Sequence, residues 1–258
     1  MDPQLAHVLS RLTPEIEAAL ETYFPSQRGA LGVCMRYATF SGGRRMRPVL
    51  CLLGADFCNV QRKHALPLAA AIEFLHTASL IYDDLPAMDN AVHRRGQPPA
   101  HADAGQGVAL LAGLSLVSHA FGLLAPYPSL VELASRCVTD MSSGQAIDLH
   151  GGDRSPRHYL KTTALFHLAL TAAGTAFGAE SLKMQALGAF ALHFGTAYQL
   201  LDDADDEGAA QLAAQSASEL ALAQDALLAF QGDSAAGHLR EFANQVLQSV
   251  PAGGRSDH

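Results

Sequence analysis

The chain has 258 residues, 49 % of them apolar and 16 % charged, with a net charge of −8 at neutral pH. That length suits one large unit with a well-buried core, and that composition excludes a disordered chain. With 17 lysines and arginines against 25 acids and no basic stripe, nucleic acid is excluded as an expected partner.

In chain order, the opening "MDPQLAHVLSRLTPEIEAAL" begins with an acid and lacks a signal-peptide core, so the expected location is cytoplasmic. After Pro25 comes "FSGGRRMRP", a flexible glycine pair followed by Arg44, Arg45 and Arg47. Two segments, "HALPLAAAIEFLHTASLIYDD" and "MQALGAFALHFGTAYQLLDD", have apolar residues at three- and four-residue spacing nearly all round, which predicts buried helices. "RRGQPPAHADAG", "APYPS" and "HGGDRSP" punctuate the chain. Alternating β-branched runs are scarce, so the fold class is all-α. No linker composition divides the chain. The expectation is one domain over residues 1–250 and a disordered tail, "PAGGRSDH", over 251–258. Polar or charged residues interrupt each apolar run before the ~18 residues a membrane span needs, so no integral membrane association is expected. Cys34, Cys51, Cys58 and Cys137 form no CxxC pair and are expected to be buried free thiols.

Both apolar segments end in an Asp-Asp pair. Asp202, Asp203 and Asp206 read DDxxD. Residues four apart on a helix differ by about 40°, so Asp202 and Asp206 share a face. Asp83, Asp84 and Asp89 form the first cluster, with Pro86 inside it. A six-residue separation is about 240° on a straight helix, so the helix must bulge or end for Asp89 to fold back toward the pair. One acid pair at a helix end is ordinarily solvated surface. Two clusters, each closing a buried helix, point instead to divalent cations such as Mg²⁺ bridging carboxylates to phosphate. Arg44, Arg45, Arg47, Arg94, Arg95 and Lys161 concentrate the basic residues near these motifs, and arginine forks onto phosphate with two hydrogen bonds. Together these residues suggest two anionic sites, one bridged by metal and one held by arginine alone.

The segments "GGRRMRP", "IEFLHTASLIYDDLPAMDN", "RRGQPPAH", "SSGQAIDL", "KTTALF" and "AYQLLDDADD" occur in this order over about residues 40–206. On them the chain resembles the trans-prenyltransferases, the all-α polyprenyl diphosphate synthases. The resemblance implies an isoprenoid-synthase-type helical bundle around a deep central cavity. It also implies condensation of isopentenyl diphosphate with an allylic diphosphate through a carbocation. It assigns about three Mg²⁺ ions to Asp83, Asp84 and Asp89 on one side and Asp202, Asp203 and Asp206 on the other. Arg94 and Lys161 would hold the allylic diphosphate; Arg44, Arg47, His76 and Arg95 would hold isopentenyl diphosphate. Thr162 and Gln199 match polar residues near the cation, and Gln145 and Asp148 match a motif with a supporting role. Ala78 and Ser79, five and four residues before Asp83, would line the pocket one turn of about 5.4 Å below the metals. Both are small, which favours geranylgeranyl over farnesyl diphosphate as product, although Phe74 lies further down. The family is usually homodimeric.

The chain also departs from the family. Arg44 replaces a lysine, and Gly113-Leu114 replaces Gly-Asp. The lysine-bearing loop expected after the second aspartate cluster is absent, with no lysine after Lys183. Two alternatives therefore stand beside an active synthase: a non-catalytic subunit paired with an active homologue, and a terpene cyclase-like lyase that does not use isopentenyl diphosphate.

Overall fold

The computed structural model describes residues 3–150, 160–202 and 209–249. These fold into α1 (Pro3–Thr22), α2 (Gly29–Phe40), α3 (Met46–Phe57), α4 (Arg62–Asp83), α5 (Ala100–Ala104), α6 (Gln106–Leu124), α7 (Pro128–Leu149), α8 (Leu160–Phe177), α9 (Ser181–Asp202), α10 (Ala209–Asp225) and α11 (Ser234–Gln248). Among the described residues there is no strand, so the all-α expectation holds. The two apolar segments are α4 and α9, displaced by no more than three residues from the quoted stretches.

The core is centred on α8, where Phe166, Leu168, Ala169, Leu170, Ala172 and Ala173 are all fully buried. Helices α3, α7 and α9 pack around it, and each meets it through a glycine. A Cβ on Gly54 of α3 would lie 2.3 Å from the Leu170 carbonyl oxygen. One on Gly144 of α7 would lie 2.8 Å from the Lys161 nitrogen, and one on Gly195 of α9 would lie 3.0 Å from the Thr163 Cα. Any side chain at these positions would force backbone apart. Helix α4 packs between α3 and α6.

Local signals set the helix ends. Pro128 opens α7, where its missing N–H costs nothing, and the Asp233 side chain caps α11 by accepting from the Ala235 nitrogen at 2.8 Å. Lys183, the last lysine in the sequence, is structural. Its Nζ donates to the Phe57 carbonyl at 2.5 Å and lies 3.5 Å from Asp233 Oδ2, tying the start of α9 to α3 and α11. It stands about 29 Å along α9 from Asp202.

Two expectations need correction. Helices α4 and α6 are each long and apolar enough to cross a membrane by length and composition, despite their polar residues. In α4, 72 % of the most apolar window is buried in the bundle; in α6 only 33 % is, because Leu110, Leu111 and Leu114 face outward. Cys34, Cys51 and Cys137 are buried free thiols, but Cys58 is only half-buried. Burial pushes Cys51 and Cys137 up to about 12. The tail over 251–258 lies outside the described residues.

Candidate active site

Helix α4 ends at Asp83 because Pro86 follows, which biases Leu85 away from helical backbone. The chain then doubles back: the Asp89 nitrogen donates to the Asp83 carbonyl at 2.9 Å, and the Ala91 nitrogen to the Asp84 carbonyl at 3.2 Å. This turn returns Asp89 to the pair despite its unfavourable spacing. Asp84 is buried, and its Oδ1 accepts from Arg94 Nη2 at 2.5 Å and Nε at 2.9 Å. Asp83 Oδ2 lies 3.4 Å from Lys161 Nζ, which lies 3.7 Å from Asp148 Oδ2. Asp89 is exposed. Burial pushes the Asp83 carboxyl above the ordinary carboxylate range; Lys161 pulls it back, Asp89 pushes it up again, and Arg94 opposes. The carboxylates of this pole, Asp83, Asp84, Asp89 and Asp148, outnumber its two cations, Arg94 and Lys161.

A second pole, made of arginine, begins one turn away along the chain. Arg94 and Gln97 exchange both backbone hydrogen bonds, at 2.7 and 3.0 Å, across Arg95 (φ 53°) and Gly96 (φ 71°). Positive φ at both central residues is the mark of a type I′ turn. The turn sends Arg94 to Asp84 and Arg95 the other way, where its Nη1 donates to the Gly42 carbonyl. Gly43 makes room for it, since a Cβ there would lie 2.5 Å from Arg95 Cζ. Arg45, in left-handed backbone at φ 49°, caps α3. Its side chain is buried and donates to Glu73 Oε1 at 2.8 Å, Glu17 Oε1 at 2.7 Å and the Thr39 carbonyl at 2.9 Å. Arg47 is buried, with Nη1 3.0 Å from His76 Nε2 and its Cζ 5.0 Å above the Phe166 ring. A guanidinium only donates, so His76 Nε2 is the acceptor where the two groups hydrogen-bond. Arg44 is exposed and donates to Ser249 Oγ at 3.1 Å, which brings the end of α11 to this pole.

Burial lowers the Arg47 and Arg95 guanidinium pKa; for Arg95, Glu73 opposes while Arg45, Arg94 and Arg47 add to the lowering. Arg47 Nε is buried with no hydrogen-bond partner. At this pole four arginines, Arg44, Arg45, Arg47 and Arg95, stand around one lining carboxylate, Glu73. Arg44, Arg47, Glu73, His76, Arg95 and Tyr198 line a small cavity there, about 20 Å³. His76 and Asp83 lie seven residues apart on α4, hence on nearly one face and about 10 Å along the axis. One helix and one tight turn thus hold the two poles at a fixed spacing.

Beneath the mouth, Thr162 of α8 donates its hydroxyl to Gln199 Oε1 of α9, both buried. Asp202 ends α9, and it and Tyr198 both act on the Arg47 charge, so the end of α9 faces the arginine pole. Asp203 and Asp206 lie outside the described residues. Ala78 is fully buried on α4, and half-buried Ser79 turns its hydroxyl to the His76 carbonyl at 2.8 Å. A larger cavity of about 230 Å³ lies between α7, α8 and the start of α9, lined by Leu133, His167, Thr171 and Met184. It is toward the far end of α8 from Lys161, away from the aspartates.

The sequence reading missed Glu73, the buried carboxylate at the centre of the arginine pole. Its signal was present: one acid inside the apolar run "AAAIEFL". Among the described residues, no three His, Cys, Asp or Glu side chains form a closed metal cage. Asp83 and Asp89 offer hard oxygen donors on a pole short of positive charge. That fits a divalent ion whose remaining positions belong to phosphate and water.

The polyprenyl synthetase family model matches residues 29–213, most of the chain. The chain belongs to the polyprenyl synthetase family. Its members are trans-prenyltransferases. The geranylgeranyl diphosphate synthase of Pantoea ananas is 38 % identical over 218 residues, 76 % of this chain and 72 % of that protein. That of Pseudescherichia vulneris is 40 % identical over 196 residues, 69 % of this chain and 64 % of its own length. The geranyltransferase structure from Legionella pneumophila superposes with a TM-score of 0.87 at 28 % identity, covering 95 % of this chain and 97 % of that one. The Legionella enzyme thus shares its helical scaffold with this chain over nearly the whole of both.

Proposed function

We propose that this chain is a chain-elongating prenyltransferase that condenses isopentenyl diphosphate with an allylic diphosphate, with geranylgeranyl diphosphate as product. The observation that carries this reading is the pair of electrostatically incomplete poles about 10 Å apart on α4. A single-diphosphate lyase has no use for the second. The acidic pole takes the allylic diphosphate with Mg²⁺ held by Asp83, Asp84, Asp89 and Asp202, joined by Asp203 and Asp206. Bound there, Mg²⁺ supplies charge neutralisation to the leaving diphosphate. Arg94 and Lys161 orient that diphosphate from the protein side. Arg44, Arg47, His76 and Arg95 receive isopentenyl diphosphate. The arginine cavity has room for about one water, so these side chains open as the ligand enters.

Ionisation breaks the allylic C1–O bond, and its electron pair leaves with diphosphate. The isopentenyl double bond supplies the pair for the new carbon–carbon bond, and a proton departs to the released diphosphate. Thr162 and Gln199 stand where the cation forms. Small Ala78 and Ser79 favour the longer product, as do the geranylgeranyl diphosphate synthases among the relatives. Leu110, Leu111 and Leu114, each about half exposed on α6, form an apolar stripe that fits the same stripe of a second copy, giving a homodimer.

A second reading, a non-catalytic partner of an active homologue, has one observation in its favour. Helix α10 starts at Ala209 with no lysine beyond Lys183 to close over the diphosphates. One assay separates the two. Purified protein is incubated with Mg²⁺, isopentenyl diphosphate and, separately, dimethylallyl, geranyl or farnesyl diphosphate, and the dephosphorylated products are weighed. Geranylgeraniol is expected, and a chelator should abolish it. Farnesol alone overturns the chain length, and no product from folded protein overturns the activity.

A further inference from the structure

Gln145 is more than nine-tenths buried, and neither its Oε1 nor its Nε2 has a hydrogen-bond partner. Leaving a carboxamide unsatisfied in a core is unfavourable at both ends, and a leucine would fill the same space without that penalty. Such a group calls for a ligand. Its position says which part of a ligand. Gln145 lies on the inward face of α7, one turn below Asp148, whose carboxylate reaches Lys161 beside Asp83. The close approach of Gly144 to Lys161 sets Gln145 within one turn of Thr162 along α8. At that level the Thr162 hydroxyl is already given to Gln199, whereas the Gln145 carboxamide is uncommitted.

A diphosphate would sit higher, among Asp83, Arg94 and Lys161. An apolar prenyl tail below offers a carboxamide nothing. Between them lie the allylic carbons, which carry full positive charge only after the C1–O bond has broken. Resting on the function proposed above, we infer that Gln145 is a further catalytic residue: its carboxamide oxygen faces those carbons and stabilises the positive charge that develops on them. A dipole fixed in a dry interior needs no reorganisation as the charge appears, so it lowers the barrier while adding little to ground-state binding. No atom or proton moves to or from Gln145 in the step.

The test is Gln145→Leu, which keeps size and removes both polar ends. The expected result is a fall in kcat of about ten- to a hundredfold, KM values for both substrates within about twofold, and a melting temperature unchanged or raised. A structural glutamine predicts the reverse, with a lowered melting temperature and kcat preserved per folded molecule. Affinities for an ammonium analogue of the allylic diphosphate and for its uncharged thio analogue give a readout without turnover. The variant should lose about tenfold on the ammonium analogue only. An unchanged kcat, or an unchanged affinity ratio, overturns the inference. If the wild type makes no product the proposed activity fails, while the affinity ratio still reports on Gln145.

Discussion

Removing Glu73 should unhinge the arginine pole, and the structure sets the size of the effect. The Arg45 and Glu73 side chains are 3 % and 2 % exposed and meet at 2.8 Å. Burial alone would lower the Arg45 pKa; Glu73 and Glu17 more than offset it, and the net shift is upward. Stripping one partner from a buried pair costs ~3–5 kcal/mol, most of it the penalty of leaving the other charge alone. Here Arg45 keeps Glu17, which is 42 % exposed, and the Thr39 carbonyl. Glu73→Ala should therefore fall near the low end, about 3 kcal/mol. At ~2–4 °C per kcal/mol for a chain of this size, the melting temperature drops by about 6–12 °C. Because Arg45 caps α3 between Arg44 and Arg47, KM for isopentenyl diphosphate should rise more than KM for the allylic substrate. The double variant Arg45→Met/Glu73→Leu should recover most of the stability. Calorimetry of the three proteins is the measurement. A single-variant loss below about 2 °C, or a double variant no better than the single, would refute the reasoning.

Three further outcomes are expected. Burial holds the folded Asp83 pKa above its unfolded value of 3.8, so the folded state binds more protons in the window above 3.8 and stability falls as pH rises through it. Asp83→Asn should thus melt higher than wild type at neutral pH, with the advantage shrinking as pH falls through that window, while turnover drops at least about a hundredfold; a lower melting point at pH 7 contradicts the sign. Gly43→Ala places a Cβ 2.5 Å from Arg95 Cζ at a φ of +123°, so KM for isopentenyl diphosphate should rise about tenfold, read by steady-state kinetics with the allylic KM nearly constant. Leu114→Glu, at a position 55 % exposed on α6, should shift sedimentation from dimer to monomer without lowering the melting point of the monomer itself.

Much of this molecule can be read from its primary structure, where the information is local. The apolar periodicity of α4 and α9 marks both helices, because burial on all sides leaves a continuous signal. Pro86 inside the first acid cluster announces the turn that folds Asp89 onto Asp83. Long-range pairings leave no such trace. Arg45 and Glu73 are 28 residues apart and Arg95 and Gly42 are 53 apart, so a composition of nearby arginines cannot say which binds a ligand and which holds the fold. Arg45 looks like its neighbours Arg44 and Arg47, yet it is the one committed to the buried Glu73 carboxylate. The outward apolar stripe of α6 is equally silent, since periodicity reports that a helix has apolar faces and not what covers them.

The three glycine contacts around α8 bear on how product length can change over time. With Gly54, Gly144 and Gly195 already at backbone contact, the walls of the bundle stand at their inner limit. Spreading them would break several interfaces at once, because α8 is shared by all three. On the function proposed above, the interior is a mould with fixed sides, and single substitutions along α4, at Ala78 or Phe74, would reset its depth and leave the surrounding scaffold untouched.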